Sequence, residues 1–570
     1  MRIKVIRLGI IISFLVIVLD LGYLQIIRGN YYYNLSKNNL VRVVHLEGWR
    51  GRIFDRNSIL MADSRLAYNV LAIPQEMADD TALFAFLGEV LKTDSTEMMS
   101  RYKKRRLAPF APVIIAEDIS REQAIVIEEN KFRFPGLLVE ETFKRFYPLG
   151  DNSAHVLGYV GEVTRSRVER FQEYGYLPQS VIGYSGIEEY YDTYLRGEEG
   201  GIQIEVDSRG QQVRLLSFKE PEKGQDLTLT IDTDIQKIAQ DVLEERMGAI
   251  TVMDMDNGEI LGLLSSPTYN PNYFVDSRYE TERKSILKNS SSPLLNRAVK
   301  GAFPPGSAFK VSVAICGLDT KKITAQTSFD CRGYYEMGGG KFGCSHVHGT
   351  QNLLEAIAHS CNVYFYRVGL LVGADAIYRS AVTLGLGAPT HIDLPYESPG
   401  FIPNRQLGLM SKNRRWYTGD TLNLSIGQGD VLVTPLQLTR MMATVARDGV
   451  EVYPHIIKRI GEQDIDKYSF ERKIRVDEKI FETVKKGLRA TVTDYTGTAH
   501  VLDFRDLYVA GKTGTAQTSG EKENHAWFAG YAKGKRNIAF SIFLEHGGSS
   551  HNACLVARHL LEKMKEKGIL

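Results

Sequence analysis

An almost unbroken apolar stretch covers residues 8–27, directly after a short segment that carries Arg2, Lys4 and Arg7. A helix of this length, at about 1.5 Å per residue, spans roughly 30 Å, which matches the hydrocarbon core of a bilayer. No small-residue cleavage site follows the stretch. The pattern predicts an uncleaved membrane anchor whose basic end stays in the cytoplasm while the bulk of the chain lies outside. A cleaved signal peptide is the alternative.

A change of pattern marks a separate C-terminal part. The chain has 570 residues, too many for one ordinary domain, and the polar, turn-rich residues 220–224 interrupt its periodicity. Before this boundary, residues 81–107 are predicted to be helical. Residues 31–220 contain no pattern of residues that indicates catalysis. We predict three parts: a cytoplasmic tail and membrane anchor at 1–30, a binding or positioning domain at 31–220, and a domain with the candidate chemistry at 221–570.

Two hairpin signals lie near the two ends of the C-terminal part. Apolar runs at 249–255 and 259–265 are joined by Asp-Asn-Gly, and runs at 526–532 and 537–545 are joined by a charged turn. The block between the hairpins is predicted to be mainly helical. Strands at both ends with helices between them predict an α+β fold in which the first and last strands of the sheet meet.

A strand and a helix are predicted at the start of this part. Residues 226–231 alternate in polarity as a strand does, and Thr233 and Gln236 have the spacing of a capping box. The helix that this box would begin is expected to end near Arg246.

Charge and cysteine content narrow the function. The formal net charge is only +2, whereas a nucleic-acid-binding domain normally has a larger basic excess. We therefore expect no nucleic-acid partner. The five cysteines are an odd number, so they cannot all be paired in disulfides.

The strongest candidate for chemistry is Ser307, which follows a Pro-Pro-Gly turn and precedes Lys310 by one helical turn. The apolar run at 311–318 predicts that a helix continues from this turn. Residues i and i+3 of a helix share one face, so the lysine would lie close to the serine hydroxyl. A serine becomes a good nucleophile when a neighbour takes its proton, and a lysine can do so where its surroundings keep it neutral.

Two further motifs follow in order. They are Ser360-Cys361-Asn362 and Lys512-Thr513-Gly514-Thr515, the latter on a predicted strand edge. Isolated matches also occur, at Ser100-Arg101-Tyr102-Lys103 in a charge run and at Ser36-Lys37-Asn38 beside the anchor. These lack partners in the right order, so we assign chemistry only to the ordered set.

The ordered set Ser-x-x-Lys, Ser-x-Asn and Lys-Thr-Gly is typical of penicillin-binding proteins and class A β-lactamases. The sequence resembles the penicillin-binding transpeptidases, and more narrowly the class B, monofunctional enzymes of the penicillin-binding protein 2 type. Segments outside the motifs extend the resemblance over nearly the whole chain. They are residues 50–57, 143–148, 154–161, 183–191 and 423–429.

The resemblance implies an architecture and a function. It implies a single transmembrane helix, an extended pedestal domain of the dimerisation type and a transpeptidase domain with an antiparallel sheet flanked by helices. It implies a bacterial inner-membrane enzyme, mostly periplasmic, that cross-links peptidoglycan stem peptides ending in D-Ala-D-Ala during elongation and is inhibited by β-lactams. Implied partners are a membrane glycosyltransferase of the SEDS family and other proteins of the elongation complex.

The roles implied for single residues follow the family motifs. Ser307 would attack the penultimate D-alanine, with Lys310 as base, and Ser360 would relay a proton to the leaving amine. Asn362 would hold the lysine and a substrate amide. The residues implied in binding the terminal carboxylate and backbone are Lys512, Thr513, Gly514 and Thr515. The backbone N–H groups of Ser307 and Thr515 would form the oxyanion hole.

Rival functions remain open from the sequence. A D,D-carboxypeptidase would use water instead of an amine as acceptor. Division and sporulation transpeptidases share the same motifs. A β-lactam sensor would bind the drug without making cross-links, although sensors usually need more transmembrane machinery than one helix.

A metal site is also predicted. Cys331, Cys344, His348 and Cys361 lie near the second motif, and three thiolates with one imidazole make a closed structural zinc site. The resemblance supports this site, because some penicillin-binding protein 2 relatives hold a metal there. Zinc bound to Cys361 would tether the catalytic loop. A Cys331–Cys344 disulfide and free buried thiols are the alternatives. The chemistry itself is expected to need no cofactor.

Overall fold

A computed structural model gives the fold of the chain. It describes residues 2–29, 31, 41–46, 48–77, 80–106, 112–162, 181–206, 212–406, 415–468, 470–518, 520 and 522–570. The chain forms two compact units. The first comprises Met1–Arg50, Arg65–Lys144 and Arg196–Gly224, and the second Gly51–Ser64, Arg145–Leu195 and Gln225–Leu570. The division at residue 220 stays a prediction.

The first unit begins with an apolar helix, Arg2–Gly22, which continues as the π-helical turn Tyr23–Ile27. This helix, from Ile6 to Ile27, is the one helix in the described residues that is long and apolar enough to cross a membrane. Its large apolar side chains are mostly exposed, as they are on a surface that faces lipid. Ser36-Lys37-Asn38 lies outside the described residues.

The rest of the first unit combines helices with antiparallel strands. Its helices are Asp80–Leu91, Ser95–Arg105, Arg121–Asn130 and the 3₁₀ turn Lys131–Arg133. Its strands are Val41–Leu46, the residues from 65 onward of Leu60–Ala72, Val113–Ile119, most of Leu137–Phe146, Gly200–Val206 and Gln212–Lys219. Side chains from the helices and from three of the strands form one buried cluster, which includes Phe84, Tyr102 and Ile115.

The predicted single helix at 81–107 is two helices. The first ends at Leu91, Lys92 adopts a left-handed φ of +53°, and the second begins at Ser95. The Asp94 side chain accepts a hydrogen bond from the Thr96 N–H at 2.8 Å and so caps the second helix. A cap inside an apolar pattern ends one helix and starts another, which hydrophobic periodicity alone does not show. Leu107 lies outside the described residues.

The second unit is built around a five-stranded antiparallel sheet. The labelled elements, in chain order, are α1 (Thr233–Leu243), β1 (Gly248–Asp254), β2 (Ile260–Ser266), α2 (Lys310–Asp319), α3 (Leu353–Ala358), α4 (Asn362–Val372), α5 (Pro435–Ala446), α6 (Glu478–Thr493), β3 (Tyr508–Ala516), β4 (His525–Lys533), β5 (Ile538–Leu544) and α7 (Ser550–Glu566). The strand order is β2-β1-β5-β4-β3, so β3 is an edge strand.

Smaller elements complete the second unit. Its other helical segments are Ala154–Leu157, Gly186–Tyr190, Asp192–Leu195, Asn272–Val275, Ser277–Tyr279, Glu280–Lys288, Gly306–Phe309, Ala374–Thr383, Thr418–Ser425 and His500–Leu502. Its other strands are Ile53–Phe54, the start of Leu60–Ala72, Val160–Glu162, Val181–Gly183, Leu227–Leu229, Phe329–Cys331, Tyr334–Met337, Gly340–Gly343, Gly349–Gln351, Val450–Glu451, Ile457–Ile460, Gln463–Asp464 and Arg472–Lys473.

The sheet confirms both predicted hairpins and the meeting of first and last strands. Strands β1 and β2 pair around the Asp-Asn-Gly turn, and β4 pairs with β5. Strand β1 also pairs with β5, with Gly248 opposite Leu544. Helices α1 and α7 pack on one face of the sheet and α5 on the other. Every residue of β1, β2 and β5 is therefore buried.

The predicted capping box of α1 is wrong. Asp232 is the N-cap, and its carboxylate accepts hydrogen bonds from the N–H groups of Asp234 and Ile235. The Gln236 side chain is buried and donates instead to the carbonyls of Asn152 and Leu263. The spacing of Thr233 and Gln236 fits a capping box, but the buried carbonyls bind the Gln236 side chain in place of the local backbone N–H. The helix also ends at Leu243, before the predicted end at Arg246.

Candidate active site

Ser307 lies in a tight 3₁₀ turn, Gly306–Phe309, that leads into α2. Side chains three residues apart in such a turn eclipse each other, so Ser307 and Lys310 lie on one side of it. The Ser307 side chain is partly exposed and makes no side-chain hydrogen bond within the described part of the chain. Its hydroxyl is therefore free to turn towards a substrate.

Lys310 is fully buried and its amine is held from three sides. Nζ donates to the Asn362 Oδ1 at 2.6 Å and to the Ser360 carbonyl at 2.7 Å, and it lies 3.3 Å from Ser360 Oγ. A neutral amine has two N–H groups, and these two carbonyl oxygens can accept one hydrogen bond from each. The lone pair of the amine nitrogen then remains available to take a proton from a hydroxyl group, as a general base requires.

Two buried amines lie in this site, and burial lowers the pKa of each. Burial lowers the pKa of Lys310 to about 8, an effect that the Cys344 and Cys361 sulfurs oppose. Burial also lowers the pKa of Lys512 well below its usual value, and the Lys310 ammonium adds to the shift. A lysine shifted this far is partly neutral near neutral pH, so it can act as a base.

The second motif occupies the junction between α3 and α4. Ser360 has a left-handed backbone with φ +58°, a strained conformation for a residue with a side chain. Asn362, the first residue of α4, donates from Nδ2 to the Gly343 carbonyl at 3.1 Å. Both side chains thereby lie against the Lys310 amine.

The third motif lies on edge strand β3, directly against the nucleophile turn. A Cβ on Gly514 would lie 2.5 Å from the Pro305 carbonyl oxygen, and a Cβ on Gly306 would lie 2.4 Å from the Thr515 oxygen. Only glycine permits this approach at either position, and Gly306 also has φ +52°. The Thr515 backbone thus lies directly against the turn that carries Ser307, where the resemblance implies the oxyanion hole.

Three side chains that the sequence analysis did not select fix this arrangement. The Thr498 hydroxyl lies 2.8 Å from that of Thr513 and donates to the Ala358 carbonyl at 3.3 Å. Trp527 Nε1 donates to the Pro304 carbonyl at 2.9 Å, and Gln428 Nε2 donates to the Thr515 carbonyl at 3.2 Å. Gln428 lies in the segment 423–429, whose resemblance to the family could have indicated a role at the site. No sequence pattern marks Thr498 or Trp527.

The predicted metal ligands also come together. One ligand atom from each of Cys331, Cys344, His348 and Cys361 lies within 4.8 Å of all the others. His348 Nδ1 is 3.6 Å from the Cys331 sulfur and 3.5 Å from the Cys344 sulfur. Bond lengths of about 2.0–2.3 Å in a tetrahedral zinc site place ligand atoms roughly 3.5 Å apart. All five cysteines lie in the described part of the chain, and each is a free thiol.

The cysteine cluster is connected to the second motif. The Asn362 N–H donates to the Cys344 sulfur at 3.1 Å, and Cys361 precedes Asn362 in the chain. His346 is not part of the cluster, although its carbonyl accepts from the Cys331 thiol at 3.6 Å. In the isolated match of the first unit, Ser100 and Lys103 are exposed on the helix Ser95–Arg105, and neither belongs to such a cluster.

Comparison with known proteins identifies the family. The description "Penicillin binding protein transpeptidase domain" matches residues 248–562, more than half of the chain. The chain belongs to the penicillin-binding protein transpeptidase family. The penicillin-binding protein dimerisation domain matches residues 45–229. The family membership and the apolar helix support a single-pass membrane protein.

Relatives of known name cover nearly the whole chain. The peptidoglycan D,D-transpeptidase MrdA of Acinetobacter baumannii is 32% identical over 97% of this chain and 86% of its own length. Penicillin-binding protein 2 of Helicobacter pylori, solved in complex with MreC, is 28% identical with a TM-score of 0.83, covering 93% of this chain and 99% of its own. A peptidoglycan synthase complex includes a chain with a TM-score of 0.73 and 28% identity, covering 99% of this chain and 98% of its own.

Proposed function

We propose that this penicillin-binding protein is a peptidoglycan D,D-transpeptidase of the elongation type, with Ser307 as nucleophile. The observation that carries the proposal is the convergence of all three motifs: Lys310 binds Ser360 and Asn362, and β3 passes against the Ser307 turn. Relatives named MrdA are peptidoglycan D,D-transpeptidases. These names support the same substrate, stem peptides that end in D-Ala-D-Ala.

The geometry suits a two-step acyl transfer. Lys310 accepts the Ser307 proton as Oγ bonds to the carbonyl carbon of the penultimate D-alanine, and the oxyanion is held by the N–H groups of Ser307 and Thr515. The C–N bond then breaks as Ser360 gives its hydroxyl proton to the nitrogen of the leaving D-alanine and takes a proton from the Lys310 ammonium, so Lys310 is neutral again. The amine of a second stem attacks the acyl-enzyme and loses a proton to Lys310, and this proton passes to Ser307 Oγ as the ester bond breaks. Lys512 Nζ binds the terminal carboxylate, and the negative charge of that carboxylate favours the ammonium form of this buried amine.

Penicillin labelling tests the nucleophile. A β-lactam resembles the D-Ala-D-Ala end, so fluorescent penicillin should label the wild-type protein covalently, and Ser307→Ala should remain unlabelled because no oxygen is left to form the ester. The measurement is in-gel fluorescence after denaturation. Ser100→Ala, in the isolated first-unit match, is the matched control and should label fully. Equal labelling of wild type and Ser307→Ala would contradict the proposal.

The orientation and the partners belong to the same proposal. The basic N-terminal residues favour a cytoplasmic N-terminus, with the chain that follows the apolar helix on the outer side of the inner membrane, where peptidoglycan lies. Stem peptides and β-lactams are the proposed ligands. The proposed protein partners are a SEDS-family glycosyltransferase and other elongation proteins, supported by the solved complexes of relatives with MreC and within a peptidoglycan synthase.

We also propose that zinc binds Cys331, Cys344, His348 and Cys361. The donor set fits, because four soft or borderline ligands converge at the spacing of a closed tetrahedral site. Zinc in such a site is structural. It would hold the segment that contains Cys344 against the residues of the second motif, Cys361 and Asn362. It supplies no step of the acyl transfer.

Elemental analysis tests the zinc site. Protein purified without chelator should contain about one zinc per chain, since a closed set of four ligands binds one ion. Cys331→Ser should lose the metal and melt at a lower temperature, because zinc binding contributes to folding stability. Cys316→Ala, which removes a buried thiol outside the cluster, should keep the metal. Zinc would be ruled out if wild-type protein purified without chelator contained no metal and melted at the same temperature as Cys331→Ser.

A further inference from the structure

A cavity of about 180 Å³ lies in the second unit outside the three catalytic motifs. Aromatic rings and a few polar groups line it. The lining residues that matter here are Tyr159, Tyr184, Tyr269, Ser185, Asn296 and Lys300. The volume is below the roughly 300–1,000 Å³ of sites for drug-sized ligands, so it suits a single small ring.

The aromatic wall is held firmly by ring contacts. Tyr159 stacks on Phe274 with ring centroids 4.3 Å apart and lies nearly parallel to Tyr184 at 5.9 Å. Tyr269 meets Tyr159 edge-on, at an interplanar angle of 87°. Such packed rings lose little conformational freedom when a ligand binds, so the wall is preformed.

Two polar groups of the cavity have hydrogen-bonding capacity to spare. The Lys300 ammonium makes no hydrogen bond or ion pair within the described residues; it lies 4.8 Å over the Tyr396 ring. Burial lowers the pKa of Lys300, and the Glu189 carboxylate opposes this shift. The Ser185 hydroxyl is buried and caps no helix, and beyond an interaction with the Tyr269 hydroxyl it has no hydrogen-bond partner in the described part of the chain. Buried groups of this kind normally find a partner.

The Asn296 amide is fixed in place beside them. Its Oδ1 accepts from the Ala298 N–H at 3.2 Å, and its Nδ2 donates to the His155 carbonyl at 3.3 Å. An amide nitrogen carries two N–H groups, so one remains for a ligand. The cavity therefore presents aromatic rings together with a cation, a hydroxyl and an amide.

We propose that this cavity binds one N-acetylhexosamine ring of a glycan strand, a ligand class that rests on the proposed function. A pyranose has C–H groups that pack on aromatic rings and an edge of hydroxyl and acetamido oxygens that accept from Lys300, Ser185 and Asn296. A purely apolar ligand would leave the remaining hydrogen-bonding capacity of these groups unused, which is unfavourable for buried polar groups. A cationic ligand would be repelled by Lys300.

The cavity is connected to the nucleophile through one segment. Phe303 lies three residues after Lys300, and its N–H and carbonyl both pair with Val433 at 2.9 Å. The turn that carries Ser307 follows. A sugar bound here would attach the glycan strand to the same rigid segment that presents the nucleophile. The site would then favour stem peptides on polymeric glycan over free peptides.

Binding of peptide-free sugars tests the proposal. The probes are the disaccharide of N-acetylglucosamine with N-acetylmuramic acid, and the N-acetylglucosamine disaccharide, added to the full chain in detergent micelles and followed by saturation-transfer NMR. Both should bind the wild type. Lys300→Met, which keeps most of the side-chain stem, should weaken binding at least about tenfold, because methionine cannot donate the charge-assisted hydrogen bond that the ammonium gives. Preference for one disaccharide identifies the sugar.

Matched variants separate the outcomes. Lys288→Met, at the exposed end of the helix Glu280–Lys288, should bind the sugars as wild type does. Ser185→Ala removes no helix cap and should also weaken binding, which covers the case that Lys300→Met fails to fold. Absence of saturable sugar binding, or equal binding by wild type, Lys300→Met and Ser185→Ala, would overturn the inference. So would a Lys300-dependent affinity for sugar-free stem pentapeptide alone. Penicillin labelling of wild type reports separately on the proposed function.

Discussion

Replacing Lys310 with methionine is expected to slow acylation of Ser307 by penicillin about 10³-fold, the middle of the range for general-base catalysis. Methionine is also unbranched and fills similar space, but it cannot accept the serine proton. It also leaves the Asn362 Oδ1 and the Ser360 carbonyl without the donor that now holds them. The measurement is the second-order rate constant for labelling.

The pH dependence gives the same experiment a second readout. Acylation by the wild type should accelerate as pH rises through about 8, because the neutral Lys310 amine, not its ammonium, takes the proton. The Lys310→Met variant should lack this rise. Lys103→Met, in the isolated match of the first unit, should keep the wild-type rate and profile. A Lys310→Met protein with the wild-type rate would mean that another group is the base.

Replacing Gly427 with alanine is expected to slow acylation about 10²-fold and to lower the melting temperature. Gly427 has φ +68°, and a Cβ there would lie 2.3 Å from the Gly306 carbonyl oxygen. The backbone of the nucleophile turn must move, and the hydrogen bond from the Gly306 N–H to the Gly427 carbonyl, now 3.0 Å, is strained. Displacing one oxyanion-hole donor typically costs about 2.7–4 kcal/mol of transition-state stabilisation.

Gly429 is the matched control for this substitution. It also has a left-handed backbone, φ +75°, but the nearest atom to an added Cβ is the Asn423 Cβ at 3.6 Å, an ordinary contact. Gly429→Ala should therefore lose about 1–2 kcal/mol of stability for the backbone conformation while it acylates normally. Equal acylation rates for the two alanine variants would show that the close approach of Gly427 does not position Ser307.

The hairpins and the closing of the sheet could be predicted because short-range signals determine them. A turn sequence between two apolar runs fixes β1 with β2 and β4 with β5, and strands at both ends of a helical block leave few arrangements. The error at α1 has the opposite origin. Gln236 has the right spacing for a cap, but the carbonyls of Asn152 and Leu263 come from other parts of the chain, and no local pattern shows them.

The same division applies to the site. Ser307, Lys310, Ser360, Asn362 and Lys512 were found because the chemistry restricts residue type and order, and the structure brings them together. Thr498, Trp527 and Gln428 act through single hydrogen bonds to backbone or hydroxyl groups. Many residue types and positions could satisfy such bonds, so the sequence does not distinguish them from ordinary core residues.

The pairing of β1 with β5 governs how this protein can be made. The middle of the sheet is complete only when Gly248 of β1 pairs with Leu544 of β5. Because Leu544 is close to the C-terminus, the acylation site forms only when synthesis is almost finished. Until then, apolar strands with unpaired edges are exposed to proteases and to aggregation, which is the hazard of non-local topology. Nascent chains of this protein should therefore depend on chaperones, and a nonsense mutation anywhere before β5 should leave no active fragment.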